Sequence, residues 1–277
     1  MKSLAPRCFA QSLILAGCLT AAAEPALAAS SQVWVLRNRE DFRDAKLDGV
    51  ALAADGTFHL SARVSEVMAP AQPNIWSLAR DPSGRLHAGG GNDGRVYRAR
   101  AGGGEPEVVL DTEELQVHAL AFDSKGRLLA GTSPSGRVYR VEAGGIPVVI
   151  FDPEETYIWA MHVDARDRLY VATGGRGRVY RIDEPGPGAK AVIALDGRED
   201  HFRSLAAGSD GSIYAGSDQN GIIYRIAPDG STSVVYDSPM REIASLLVVA
   251  EAGGGDRIYA AALASAPQRR APGSAQQ

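Results

Sequence analysis

Residues of three different chemistries occupy one register position of a repeated segment: Trp76, His118, Trp159 and Arg203. Each follows an apolar residue (Ile75, Val117, Ile158 and Phe202), and a fifth copy reads Ile243-Ala244. An indole stacks on the flat face of a sugar ring or a peptide side chain. Imidazole and guanidinium groups bind anions and carboxylates. A position that changes chemistry while its neighbours hold still is expected to face a ligand, so these four are the candidate ligand-binding residues. The competing reading places the tryptophans in the core between sheets.

A second set of polar residues lies in the connections "DTEELQ", "DPEETY", "DGREDH" and "DSPMRE". Asp111, Glu114, Asp152, Glu155, Asp200 and Glu242 are expected to form a solvated rim that caps loops. A divalent cation such as calcium is the alternative occupant, since it takes oxygen ligands, but the spacing matches no recognised metal loop. Catalytic motifs are missing: the chain has no H-E-x-x-H, no G-x-S-x-G and no Walker A loop. "GGGNDG" is glycine-rich, yet it joins two strands and does not open a helix, which argues against a phosphate cradle.

These residues are positioned by a repeat. Tyr97, Tyr139, Tyr180 and Tyr224 follow one another at intervals of 42, 41 and 44 residues, the period of propeller blades. Each unit divides into four short strands, as in "VHALAF", "RLLAG", "RVYRV" and "PVVIF", separated by Gly, Asp, Ser and Pro. No unit has a long apolar stripe at helical spacing, which excludes a helical solenoid. The fold expected is all-β, a β-propeller of about six four-stranded blades, with five blades or an open ring as alternatives. "DPSG" and "DSKG" turn the chain between the first two strands. In the third unit Asp167 replaces the glycine, as a residue that enters the left-handed region more readily than most. The motif "GRVYR" reads as a building element: glycine ends a loop, tyrosine fills the gap between sheets, and the arginines pair with acids on nearby strands.

The N-terminus reads as an export signal over residues 1–28, with an apolar stretch ending in Ala26-Leu27-Ala28. Leu15-Ala16-Gly17-Cys18 also fits a lipobox, so cleavage before Ala29 and a lipid anchor at Cys18 both stay open. Residues 29–263 are assigned to the propeller and 264–277 to a disordered tail. On this reading "QVWVL" (32–36) completes the last blade, and the protein is periplasmic, secreted or membrane-anchored. The only cysteines are Cys8 and Cys18, so the propeller has no disulfide and no thiolate metal site. The net charge of −4 provides no basic footprint for nucleic acid.

The core D-x-x-G-R-L-Y-A-G-x-x-x-G-R-V-Y-R resembles the repeat of bacterial extracytoplasmic propellers: the NHL-repeat, gluconolactonase-like and streptogramin-lyase-like groups. The resemblance spans about 75–263 and implies the fold. Gluconolactonase-like enzymes hold a divalent metal in the central channel, but their ligand set has no residue-by-residue match here. The functional expectation is an exported, non-enzymatic binding or scaffold module for a protein, peptide or glycan. A metal-dependent hydrolase or lyase, and the sensing part of a larger assembly, are the rivals.

Overall fold

The computed structural model describes Phe42 and residues 45–264, apart from residues 54, 63–64, 72–73 and 143. The signal segment, Cys8, Cys18, the 32–36 strand and most of the tail lie outside the described residues. Two compact units divide between Ser65 and Glu66. In the first, β1 (Val50–Leu52) and β2 (Phe58–Leu60) form an antiparallel hairpin.

The second unit is built of strands alone among its described residues. Sheet I holds β3 (Ile75–Arg80), β4 (Leu86–Gly90), β5 (Arg95–Arg98) and β6 (Glu107–Asp111). Sheet II holds β7 (Gln116–Phe122), β8 (Leu128–Ser133), β9 (Val138–Val141) and β10 (Pro147–Phe151). Sheet III holds β11 (Tyr157–Val163), β12 (Leu169–Gly174), β13 (Arg178–Ile182) and β14 (Ala191–Asp196). Sheet IV holds β15 (Phe202–Ala207), β16 (Ile213–Ser217), β17 (Ile222–Ile226) and β18 (Thr232–Asp237). A final hairpin, β19 (Glu242–Ala250) and β20 (Asp256–Leu263), supplies first and second strands only. Within each sheet the strands pair in chain order, all antiparallel. With the β1–β2 hairpin this makes six sheets among the described residues, four of them complete four-stranded blades of the propeller type.

The core lies between sheets. One cluster joins sheets I and II through Val96, Leu110, Val117 and Tyr139, and another joins II and III through Leu129, Val138, Ile158 and Tyr180. Phe202 and Ile213 pack sheet IV on sheet III, and Ile243 packs the last hairpin on sheet IV. The second strands β8, β12 and β16 are buried at every position. They are covered on both faces, which is why they read as unbroken runs of apolar and small residues. Val117, Ile158, Phe202 and Ile243, at the start of each first strand, are fully buried. Each is worth about 1.5–3 kcal/mol by apolar burial. Ile75 departs from the expected core position and is 37% exposed, because no sheet of this unit precedes β3.

Turn chemistry fixes each blade. Asp81, Asp123 and Asp164 each accept the backbone N–H and the Nε of the arginine four residues on, at 2.7–2.9 Å. Asp167 adopts φ 61°, the left-handed conformation its place in the turn requires. In "GRVYR" the first arginine pairs with the acid that ends the outer strand: Arg95 with Asp111, Arg137 with Asp152 and Arg178 with Asp196, at 3.0–3.1 Å. These pairs are exposed and worth about 0–1 kcal/mol each.

The glycine of that motif is under a stronger constraint. Gly94, Gly136, Gly177 and Gly221 have φ of 56–62°. A Cβ on them would collide with the carbonyl oxygens of Glu114, Glu155, Glu199 and Met240 respectively. The loop that leaves each sheet for the next therefore lies directly on the loop between the second and third strands of the sheet it leaves.

Candidate functional site

Trp76, His118, Trp159 and Arg203 share a backbone device. In every first strand the pairing slips by one residue: between Ile75 and Ser77, Val117 and Ala119, Ile158 and Ala160, and Phe202 and Ser204. The residue skipped is the candidate in each case, so each sits on a β-bulge with no partner opposite. A bulge re-aims one side chain without shifting the rest of the strand. Ala244 occupies the same bulge between Ile243 and Ser245.

The bulges bring the four side chains into one continuous arc. The Trp76 and His118 rings lie 5.5 Å apart, and the His118 and Trp159 rings 4.5 Å. The Arg203 guanidinium carbon stands 3.6 Å from the centre of the Trp159 ring, well inside cation–π range. All four side chains expected at a site thus meet across sheets I to IV. Trp76, at one end, is 52% exposed and stands outside the core. Trp159, His118 and Arg203 are half-buried.

A second row, two residues earlier, completes the arc: Gln116, Tyr157, His201 and Glu242. Tyr157 stacks on Trp159 at 4.6 Å with an interplanar angle of 13°. The His118 Nε2–H donates to Gln116 Oε1 at 2.8 Å, and Ser133 Oγ donates to the same oxygen at 3.2 Å. Trp159 Nε1–H donates to His201 Nδ1 at 3.2 Å. Because an indole N–H can only donate, His201 must accept at Nδ1 and carry its own proton on Nε2. Arg203 Nε donates to Glu242 Oε1 at 3.1 Å. Burial, seconded by the positive charge of Arg203, pushes the His118 pKa down to about 4, so this ring is neutral at physiological pH.

The sequence reading passed over a further set of residues. Fifteen positions after each bulge stands a residue at the junction of the second strand and the loop that follows it: Gly91 after Trp76, Ser133 after His118, Gly174 after Trp159 and Asp218 after Arg203. A Cβ on Gly91 would crowd the Trp76 indole and Asn74. A Cβ on Gly174 would crowd Trp159 Nε1 and His201 Nδ1. Where the bulge carries the smaller histidine, the junction carries a serine, 3.1 Å from His118 Nε2. The fixed spacing of fifteen was visible in the chain.

The acidic connections divide in two. Glu114 and Glu155 are buried, which corrects the expectation of a solvated rim. Glu199, which the sequence reading did not single out, is buried with them. Glu114 accepts the Ser135 N–H at 3.1 Å, Glu155 the Arg176 N–H at 2.9 Å, and Glu199 the Asn220 amide at 3.0 Å. The hydroxyls of Tyr180 and Tyr224 also reach Glu155 and Glu199. These three glutamates fasten the loops that frame the arc. Asp111 and Asp152 serve the exposed arginine pairs, Asp200 accepts from Gln219 Nε2, and Glu242 holds Arg203. Among the described residues, no three His, Cys, Asp or Glu side chains converge as a metal site. The arc's donors therefore do not fit the channel metal that the gluconolactonase-like resemblance implies.

Glu154, Arg198 and Gln219, in the loops around the arc, hold left-handed φ of 58°, 58° and 78°. Non-glycine residues in that region gather at functional faces. Two open clefts, of about 590 and 450 Å³, lie elsewhere, along outer strands and turns of sheets I and II.

No protein-family model matches the chain, and no curated protein matches it in sequence. Solved structures do. One is a protein classed provisionally as a gluconolactonase, at TM-score 0.55 and 15% identity, covering 78% of this chain and 82% of that one. Another is virginiamycin B lyase from Staphylococcus aureus, at TM-score 0.56 and 10% identity, covering 76% of both chains. A third is the extracellular domain of a hybrid two-component system from B. thetaiotaomicron, at TM-score 0.50 and 17% identity. It covers 68% of this chain and 26% of that one. At such identities the likeness shows the fold: the chain is a repeat protein of the β-propeller class.

Proposed function

We propose that the protein is an exported binding module whose arc of bulge residues receives a protein, peptide or glycan ligand. The observation behind this reading is the recurrence of one bulge in sheets I to IV, carrying indole, imidazole and guanidinium side chains to the same surface. Structural repetition explains the bulge, and the unlike residues on it need another reason. Export rests on the N-terminal signal pattern and agrees with the extracellular neighbour. No helix among the described residues is long and apolar enough to cross a membrane. The test is a glycan and peptide array probed with wild-type protein and with Trp76→Ala/His118→Ala/Trp159→Ala/Arg203→Ala. Ligands held by the wild type should be lost by the variant at unchanged circular dichroism. Retention of every ligand would remove the arc as the site.

An enzymatic second reading draws on one comparison. An inactive form of virginiamycin B lyase, a histidine-to-alanine variant, is among the similar structures, at TM-score 0.53. Here His118 and His201 flank Trp159. This reading requires a captured ligand to be altered during incubation, which mass spectrometry of the released ligand detects. A metal-dependent hydrolase would also carry a tightly held divalent ion through purification, which metal analysis detects.

A further inference from the structure

The arc has more hydrogen-bond donors than acceptors left to use. Arg203 commits only Nε to Glu242, and among the described residues its terminal nitrogens have no partner. His201 spends Nδ1 as an acceptor and keeps an Nε2–H to give. Trp76 Nε1–H and the Tyr157 hydroxyl likewise have no partner among the described residues. Against these donors stand three open acceptors among the described residues: His118 Nδ1, the Tyr157 oxygen and Glu242 Oε2, whose Oε1 alone is engaged by Arg203. The nearby loop carboxylates are already engaged: Asp200 and Asp218 accept from Gln219, and Glu199 accepts from Asn220 and Tyr224.

The surface between the donors is aromatic, its rings tilted by about 50–66° at His118 and parallel between Tyr157 and Trp159. Trp76, His118, Tyr157 and Trp159 form a run of rings at 4.5–6.3 Å, with Trp76 open to solvent. An apolar side chain would need a deep pocket to exclude water from it. A pyranose needs a ring face to lie on and donors around its edge. The Arg203 guanidinium carbon lies 3.6 Å over the Trp159 ring, and only its Nε is engaged, so its two terminal nitrogens are free to take a carboxylate with two hydrogen bonds. From this geometry we infer that the arc binds an acidic saccharide, with a uronate carboxylate on Arg203 and a sugar face on Trp76, since Tyr157 and Arg203 already cover Trp159. The inference rests on the reading of the arc as the ligand site.

The test uses the full protein with trigalacturonate and trimannuronate, each beside its methyl ester, followed by tryptophan fluorescence and calorimetry. At least one free acid should bind at least about tenfold more tightly than its ester, the loss expected for a charge-assisted pair. Arg203→Lys keeps the charge but not the fork, and should erase most of that preference. Trp76→Ala should weaken acid and ester alike. Equal binding of acid and ester, with Trp76→Ala still weakening both, would overturn the acidic class while leaving the arc as the site. Binding of neither acid would overturn the inference. Full binding by the quadruple alanine variant would overturn the reading of the arc beneath it.

Discussion

His118 illustrates what one buried residue does to the pH response of this protein. Its pKa in the folded chain is pushed down from 6.5 to about 4, first by burial and second by Arg203. Between those values the unfolded chain takes up a proton and the folded chain does not. Stability is therefore expected to fall as pH drops through that window and to level off below it. His118→Asn should flatten the slope, measured as the urea midpoint at pH 7 and at pH 4.5. Part of the slope will persist, because burial also lowers the pKa of His87 and His162. The second cause is separable from the first. Arg203→Met removes the cation facing His118, so the His118 pKa should rise by nuclear magnetic resonance titration. Burial remains, so it should stop short of the free value. No movement would mean that Arg203 does not act on this ring.

At the scale of strands and loops, the bulge and the junction residue fifteen positions on behave as a fitted pair. Gly174→Ser pushes a side chain against Trp159 and His201 and should cost about 1–3 kcal/mol, as overpacking does. Trp159→His in the same protein should recover part of that loss, since histidine with serine is the combination at 118 and 133. A double-mutant cycle by denaturation should show coupling of about 0.5 kcal/mol or more; strict additivity would break the pairing. Gly136→Ala should cost about 2–4 kcal/mol, because it combines left-handed strain with a collision against the Glu155 carbonyl. Gly230→Ala, at φ 90° with open space around it, should cost only about 1 kcal/mol. Much of this level was legible in the chain: the period, the turn aspartates and the glycine of "GRVYR" each follow from local backbone chemistry. Trp76, His118, Trp159 and Arg203 could be singled out because they differ where their neighbours agree. Their cause, the bulge, could not, since an unpaired residue looks like any other until a partner strand is laid beside it. The buried glutamates were misread for a related reason. An acid in a loop looks solvated until the N–H groups that enclose it are known. The signal was present, since Glu114, Glu155 and Glu199 each stand three residues after an aspartate that ends or directly follows an outer strand.

For the whole molecule, the governing fact is that the sheets are stacked in series. First strands pack in the order β3, β7, β11, β15, β19, so each sheet depends chiefly on its neighbours, as in other repeat proteins. The interior interfaces are dry: Ile158 is fully buried between sheets II and III. The two ends differ. Ile75 and Leu78 on β3, and Leu247, Val249 and Tyr259 on the last hairpin, are exposed. Equivalent substitutions should therefore have unequal effects. Ile158→Ala should cost about 2–5 kcal/mol, the range for a buried aliphatic that leaves a cavity. Ile75→Ala, at the same register position, should cost no more than about 1 kcal/mol, since little apolar area is lost. The gradient should also show without mutation. Amides paired between β19 and β20 have two strands and one packed face behind them, so they should exchange hydrogen by local opening. Amides between β12 and β13 have covered sheets on both sides and should exchange only in the rarest openings. Exchange followed by mass spectrometry separates the two peptides. Equal protection would mean that the series unfolds as one unit, and the arc, which spans sheets I to IV, would then be as rigid at Trp76 as at Arg203. Graded protection that also finds the β3–β4 amides exchanging by local opening would make Trp76, on the first sheet, the most mobile member of the arc, and the one whose ordering a ligand must supply.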